Sequence, residues 1–212
     1  MNLRQGKPTF STAASACVLL LGLAELGSAH AWLLNVRPGS RRLFLHVGNG
    51  AVSKPTDIFG SSTGTSGPIN TVEATLNAAS VGTGLPLLMT SDSTQSASLF
   101  DGYPTCSNPS EQMMLGAGIR IDKANTTATL SVASPAYLVS AAGETIPFAE
   151  IGWTVSAYPS ISRGSFAGTL QTLATVHANT YIEDCLTFSY RNSAVRAAGT
   201  YTGRVTYTLS SP

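Results

Sequence analysis

The sequence predicts an all-β protein, a sandwich or barrel of short and largely antiparallel strands, and three observations support that prediction. Apolar and polar residues alternate with period two along most of the chain, and no stretch keeps a helical period beyond about two turns. Turn signals separate the alternating stretches at intervals that suit short strands. Once a leader is removed, two cysteines remain and can form one disulfide.

Residues 1–31 have the pattern of a cleaved secretory signal peptide. Basic residues open the segment, residues 13–24 form its apolar core, and Ala29-His30-Ala31 places small residues just before the cut. The apolar core is too short to span a bilayer comfortably. We therefore expect an exported protein of the periplasm, the cell surface or the extracellular space, with residues 32–212 as a single domain.

Two extended apolar segments, residues 32–37 and 43–47, begin the mature chain. Pro38-Gly39 lies between them and suits a type II turn, which favours a β-hairpin. The alternative is that one segment has no partner in its own chain and inserts into a neighbouring subunit as an added strand. Residues 32–47 are therefore either a hairpin or a donor segment.

The remaining elements follow in chain order. Residues 53–67, where Ser, Thr, Gly and Pro predominate, predict an exposed mobile loop. Alternation and aromatic content predict strands at residues 71–76, 127–132, 148–155 and 185–190. The strongest strand prediction is C-terminal, because apolar residues alternate with mainly hydroxyl-bearing ones from Thr200 to Leu209.

The two mature cysteines, Cys106 and Cys185, form an even pair in an oxidising compartment, so we expect a disulfide between them. It would close a loop of about 80 residues and stabilise the fold by roughly 4 kcal/mol. The alternative is two free thiols or half of a metal site. No CxxC motif or nearby histidine pair accompanies either cysteine, which disfavours that alternative.

Residues that could carry catalysis are scarce. The mature chain has only two histidines: His46 within an apolar strand and His177 near the start of a polar connection. We expect each to be packed or solvated. Residues 60–64 match G-x-S-x-G literally, but that motif works at a strand-to-helix elbow and here lies inside the Ser/Thr/Gly loop. Glu183-Asp184 lacks the closely spaced oxygen ligands of a calcium loop. We expect no catalytic residues, no metal and no cofactor.

The composition limits the classes of partner that the protein is expected to bind. The net charge is +1 and only 11% of residues are charged, so nothing points to a nucleic-acid partner. Six aromatic residues could line a sugar-binding platform, although at strand spacing we expect them in the core; they are Trp153, Tyr158, Phe166, Tyr181, Phe188 and Tyr190. One functional hypothesis is therefore a self-contained secreted binding module, possibly for carbohydrate.

A second hypothesis comes from the C-terminus. Residues 197–209, which read AAGTYTGRVTYTL, resemble the closing strand of chaperone-usher pilins, especially the spore coat U-like group of archaic pili, whose chains end in A-G-T-Y-x-D-x-V-x-V-x-V. The resemblance implies an immunoglobulin-like sandwich that lacks one strand. In that family a periplasmic chaperone first fills the open groove, and the N-terminal extension of the next subunit then replaces it.

The resemblance leads us to expect a non-enzymatic structural subunit of a bacterial surface fibre or pilus. Its partners would be copies of itself or related subunits, together with a periplasmic chaperone and an outer-membrane usher. The groove edge would be formed by Tyr201, Val205, Tyr207 and Leu209. The donated side chains would be either Trp32, Leu34 and Val36, or Leu43, Leu45 and Val47.

Overall fold

The structure, a computed structural model, describes residues 42–52, 64–65, 68–156 and 160–212, all of which belong to one compact unit, Ser40–Pro212. The predicted signal peptide, the first apolar segment and most of the predicted Ser/Thr/Gly loop lie outside the described residues. Apart from one single-turn 3-10 helix, Phe148–Glu150, the regular structure in the described ranges is β, which confirms the all-β prediction. Those ranges hold no helix long and apolar enough to cross a membrane.

Sixteen strands lie in the described residues, and every strand pairing there is antiparallel. In chain order they are β1 Arg42–Val47, β2 Ala51–Val52, β3 Gly64–Thr65, β4 Val72–Glu73, β5 Leu87–Leu88, β6 Thr90–Ser91, β7 Gln112–Arg120, β8 Thr127–Ala133, β9 Tyr137–Ser140, β10 Thr145–Pro147, β11 Ile151–Val155, β12 Gly164–Ser165, β13 Leu170–His177, β14 Thr180–Tyr190, β15 Tyr201–Thr202 and β16 Thr206–Ser210. Five of them, β1, β7, β8, β13 and β14, have six residues or more.

The first sheet has the order β1-β7-β14-β11-β12, and β5 extends it along the end of β14. Its register is continuous across the middle strands, where Leu45 lies opposite Ala117 and Ala117 lies opposite Ile182. Alternate residues of these strands therefore share one face. That face is apolar and packs into the core.

The second sheet has the order β13-β8-β16, and a separate three-stranded sheet has the order β10-β9-β15. On β8 the core-facing residues are Ala128, Leu130 and Val132, each at most 1% exposed. Apolar residues of both sheets form one cluster, so the sheets pack against each other through a single core. On the opposite face of the second sheet, hydroxyl side chains line up across the strands, for example Thr129 opposite Ser210.

The disulfide between Cys106 and Cys185 is formed, as predicted, with the two Cα atoms 5.5 Å apart. Both cysteines are buried and form a small second cluster with Met114 on the outer face of the first sheet. The disulfide therefore ties the segment before β7 across that face. A buried structural disulfide is typical of proteins that fold outside the cytoplasm.

Candidate functional site

The last strand, β16, is an edge strand. Among the described residues its only backbone partner is β8, with Tyr207 opposite Val132 and Leu209 opposite Leu130. Alternate N–H and C=O groups on the other side of β16 therefore have no strand to pair with in the described part of the chain. Such an edge can accept a further strand.

The chain reaches this edge by changing partners. Residues 201–202 pair with β9, whereas residues 206–210 pair with β8. Gly203 lies between the two pairings, where a Cβ atom would come within 2.5 Å of Phe148 Cε2. Only glycine fits that close approach. The C-terminal run is therefore one extended segment shared between two sheets.

The edge strand of the first sheet, β1, lies beside β16. Its core-facing residues are Leu43, Leu45 and Val47, and those of β16 are Tyr207 and Leu209. Leu43 is 43% exposed, and the other four are only partly buried although they pack against the core. We call the strip between β1 and β16 the open edge.

The predicted groove residues are thus only partly brought together. Val205 precedes β16 and packs against the core with Tyr207 and Leu209, but Tyr201 lies apart on β15. The Tyr207 phenol is uncharged at neutral pH, as an ordinary tyrosine is, and burial raises its pKa further. An apolar strip with one neutral hydroxyl suits an apolar occupant.

The two candidate donor segments have different outcomes. Leu43, Leu45 and Val47 lie in β1, which pairs with β7 of the same chain. In this structure the second segment is therefore a strand of its own chain, β1, and forms one side of the open edge. The first segment, with Trp32, Leu34 and Val36, lies outside the described residues.

The ring of His46 packs on the outer face of β1 and is 3% exposed. Its Nε2 lies 3.1 Å from Gly50 O, which fits the tautomer that donates from Nε2, while Nδ1 is buried without a hydrogen-bond partner. Gly116 of β7 lies opposite His46, and Glu183 of β14 lies opposite Gly116. Burial lowers the pKa of His46, and the charge of Glu183 partly opposes this shift. The neutral ring therefore helps to hold β1 in place.

Asp184 and Glu183 project to opposite faces of β14, so they do not share a cation site. The buried carboxylate of Asp184 accepts hydrogen bonds from the Ile161 N–H (2.7 Å), the Ser160 N–H (2.8 Å) and the Ser156 hydroxyl (3.1 Å). Burial raises the pKa of Asp184, and these hydrogen bonds oppose the shift. Its role is to anchor the chain that follows β11, which the sequence pattern did not reveal.

Other candidate chemistry is dispersed. His177 ends β13 with an exposed side chain, far along the chain from the strand that carries His46. Within the described ranges, no three His, Cys, Asp or Glu residues are placed together to hold a metal ion. Of the six predicted aromatic residues, Trp153, Phe166, Phe188 and Tyr190 are buried in the core, Tyr181 lies on the outer face, and Tyr158 lies outside the described residues.

The chain matches no protein-family model and no curated protein sequence. The open edge, with its strand order and its half-buried residues, is therefore the basis for assigning a function.

Proposed function

We propose that this protein is an exported structural subunit of a bacterial surface fibre and that a strand from another chain completes its second sheet. The open edge would receive that strand. The C-terminal resemblance to chaperone-usher pilins supports the same proposal.

The observation that carries the proposal is the strand order. In a seven-strand immunoglobulin-type sandwich, strands lettered in chain order form the sheets A-B-E-D and C-F-G. Lettering β1, β7, β8, β11, β14 and β16 from A to F, with β12 and β13 left as additional strands, gives the order A-B-E-D in the first sheet, followed by β12. The second sheet then has the order β13-C-F, with β13 on the far side of C from F. In the described residues no strand is hydrogen-bonded to the side of β16 where strand G would pair, although β1 of the first sheet lies nearby.

The energetics favour filling that place. A donor strand with alternating apolar residues would pair with the backbone of β16 and cover the half-buried side chains of the open edge. Burying three large apolar side chains contributes on the order of 5 to 9 kcal/mol before the cost of ordering the strand. A subunit alone would leave this surface in water.

The donor segment we propose is residues 32–36, because Trp32, Leu34 and Val36 would share one face of an extended strand just before β1. This segment would reach the open edge of the next subunit. Before assembly, a periplasmic chaperone would cover the same edge and an outer-membrane usher would order the exchange. The disulfide supports export to a compartment where such assembly occurs.

Size-exclusion chromatography of the exported mature protein tests the proposal. We expect the wild type to form polymers and a variant that lacks residues 32–37 to be a monomer that binds an added 32–37 peptide. Leu34→Asp should block polymerisation, whereas the matched variant Asn35→Asp, on the other face of the donor strand, should not. A stable wild-type monomer in which residues 32–36 pair with its own β16 would refute the proposal and favour a self-contained binding module.

A further inference from the structure

A rigid loop precedes the first cysteine of the disulfide. We call residues 96–105 the aromatic loop. Its two arms are joined by hydrogen bonds from the Ser98 N–H to Tyr103 O (2.8 Å) and from the Thr105 N–H to Ser96 O (2.9 Å). Gly102 turns the tip with a φ of 76°, a conformation that glycine adopts readily.

The base of the aromatic loop is fixed to the first sheet. Cys106, the next residue, is bonded to Cys185 of β14. The Thr105 hydroxyl donates to Glu183 Oε1 (3.1 Å), and Leu99 is 7% exposed. The loop therefore presents its tip in one conformation and needs little ordering when it binds a ligand.

The tip exposes two aromatic rings. Phe100 is 42% exposed and Tyr103 is 71% exposed, which is unusual for side chains of this size. The Phe100 ring stacks on Tyr181 with the centroids 5.4 Å apart and an angle of 23° between the planes. Tyr181 in turn packs against Phe44 of β1, with 5.9 Å between the centroids. The rings form a continuous aromatic surface from the loop to the sheet.

A hydrogen bond and close packing against the sheet hold this aromatic surface in position. The Tyr181 hydroxyl donates to Glu183 Oε2 (2.6 Å), and a Cβ atom at Gly116 would come within 2.2 Å of that hydroxyl oxygen. At the tip, Asp101 Oδ1 accepts the Tyr103 N–H (2.9 Å), so the exposed carboxylate of the residue that follows Phe100 is held at the tip of the loop.

We propose that the aromatic loop binds neutral carbohydrate, with pyranose rings lying on Phe100 and Tyr103 and sugar hydroxyls donating to Asp101. A sugar has apolar C–H faces and hydroxyl edges, which match rings that flank a carboxylate. An apolar protein surface would bury Asp101 without a partner, which is costly. The carboxylates of Asp101 and Glu183 disfavour anionic glycans. This inference does not depend on fibre assembly, because Phe100, Asp101 and Tyr103 are not residues of the open edge.

Saturation-transfer NMR and calorimetry on the exported mature protein test the inference. The probes are cellohexaose, chitohexaose and laminarihexaose, with a heparin hexasaccharide as the anionic comparison. We expect at least one neutral hexasaccharide to bind. Phe100→Ala and Tyr103→Ala should each weaken binding about tenfold, the effect of losing one stacking ring. Tyr137→Ala, which removes an aromatic residue 51% exposed on β9, should leave binding unchanged.

Phe100→Trp provides the rescue, because it keeps a stacking surface and should retain binding. Thermal unfolding of every variant shows whether the fold is intact. The inference is wrong if no neutral hexasaccharide binds, if the double variant Phe100→Ala/Tyr103→Ala binds as well as the wild type, or if only the heparin probe binds. Failure here leaves fibre assembly untouched, since polymerisation is measured separately.

Discussion

The two long edges of the molecule differ in how completely they are covered. At one edge, between β11 and β13, the chain crosses from the first sheet to the second and fills the gap between them. At the other, the open edge, β1 and β16 lie side by side with half-buried apolar residues. The apolar core is therefore fully covered at one edge and only partly covered at the other.

The closed edge is filled by aromatic residues. Phe166, just after β12, is 3% exposed and packs edge-on against Phe148 and beside Trp153, with centroids 5.0 and 4.9 Å away. The Trp153 Nε1–H donates to Ser162 O (2.8 Å), and the Ser162 N–H donates to Leu173 O (2.9 Å). Covalent connection, packing and hydrogen bonding all act at this edge.

The comparison teaches that the open edge is a local feature and does not reflect a poorly packed protein. A chain that buries Phe148, Trp153 and Phe166 together at one edge leaves leucines and a tyrosine partly in water at the other. The donated strand that we propose would account for this difference, and the predictions below are ways to test it.

The largest effect is expected at the closed edge. Phe166→Ala should lower the free energy of unfolding by about 3–5 kcal/mol, because it leaves a cavity between the two sheets. Chemical denaturation of the isolated subunit measures this loss, and Phe166→Leu should cost clearly less. If Phe166→Ala cost less than Leu209→Ala, the contrast between the two edges would be wrong.

Removing the disulfide should have the next largest effect. The double variant Cys106→Ala/Cys185→Ala should lose about 2–5 kcal/mol of stability, because the long loop between the two cysteines is no longer closed in the unfolded chain. Denaturation of the oxidised wild type, the reduced wild type and the variant measures the loss. Equal stability of all three would contradict this prediction.

A smaller, state-dependent effect is expected at the open edge. Leu209→Ala should cost about 1 kcal/mol in the isolated subunit but about 2–3 kcal/mol once the 32–37 peptide is bound, because only the complex buries the side chain fully. Thr208→Ala, on the outer face, is the matched control and should change neither value. Equal costs with and without the peptide would show that the strand does not cover Leu209.

The smallest expected effect is on the pH dependence of folding stability. Burial lowers the pKa of His46 in the folded protein below the ordinary histidine value of 6.5. The unfolded chain therefore binds a proton at this residue more readily than the folded protein does. The contribution of His46 to stability is present above pH 6.5 and is lost as the pH falls from 6.5 through the lowered pKa. Asp184 acts in the opposite direction: its raised pKa makes the folded state bind a proton more readily, so its contribution falls as the pH rises.

His46→Gln keeps a hydrogen-bond donor for Gly50 O but removes the titrating ring. The variant therefore separates the pH-dependent contribution of His46 from that of Asp184. We expect the stability of the wild type to fall more steeply than that of this variant between pH 7.5 and 5.5, the approximate range around the ordinary histidine pKa. His177→Gln, at an exposed site, should follow the wild type. Parallel pH profiles for the wild type and His46→Gln would contradict the prediction.

Period-two alternation identified strands well where one face is buried and the other is in water. Residues 127–132 became β8, and the C-terminal alternation became β15 and β16, separated at Gly203. Alternation reports which way side chains face but not whether the backbone is paired. For residues 71–76, only Val72–Glu73 form a strand, although Leu76 still packs against the core.

The central strand β7 was missed because it is buried on both faces. Leu115 faces the main core while Met114 packs against the disulfide, so its sequence is a continuous apolar run without alternation. The apolar run itself, residues 113–119, was the available signal. In the segment 148–155, residues 148–150 form the 3-10 helix and only Ile151–Val155 form a strand.

The candidate sites were predictable to different degrees. The alternation of residues 200–209 predicted a strand at β16, whereas a groove edge there was implied only by the family resemblance. The neighbouring position of β1 is set by tertiary packing that no local pattern encodes. The sequence of the aromatic loop contains a turn signal, Asp101-Gly102, but no pattern that marks a binding site. The exposure of Phe100 and Tyr103 depends on how the disulfide places the loop.

The position of β1 next to β16 has a mechanical consequence for the proposed fibre. Tension would enter a subunit through the strand held against β16 and leave through the segment before Arg42, so the load would pass along one flank only. There it would shear the six-residue pairing of β1 with β7, while the aromatic packing around Phe166 and the disulfide carried none of it.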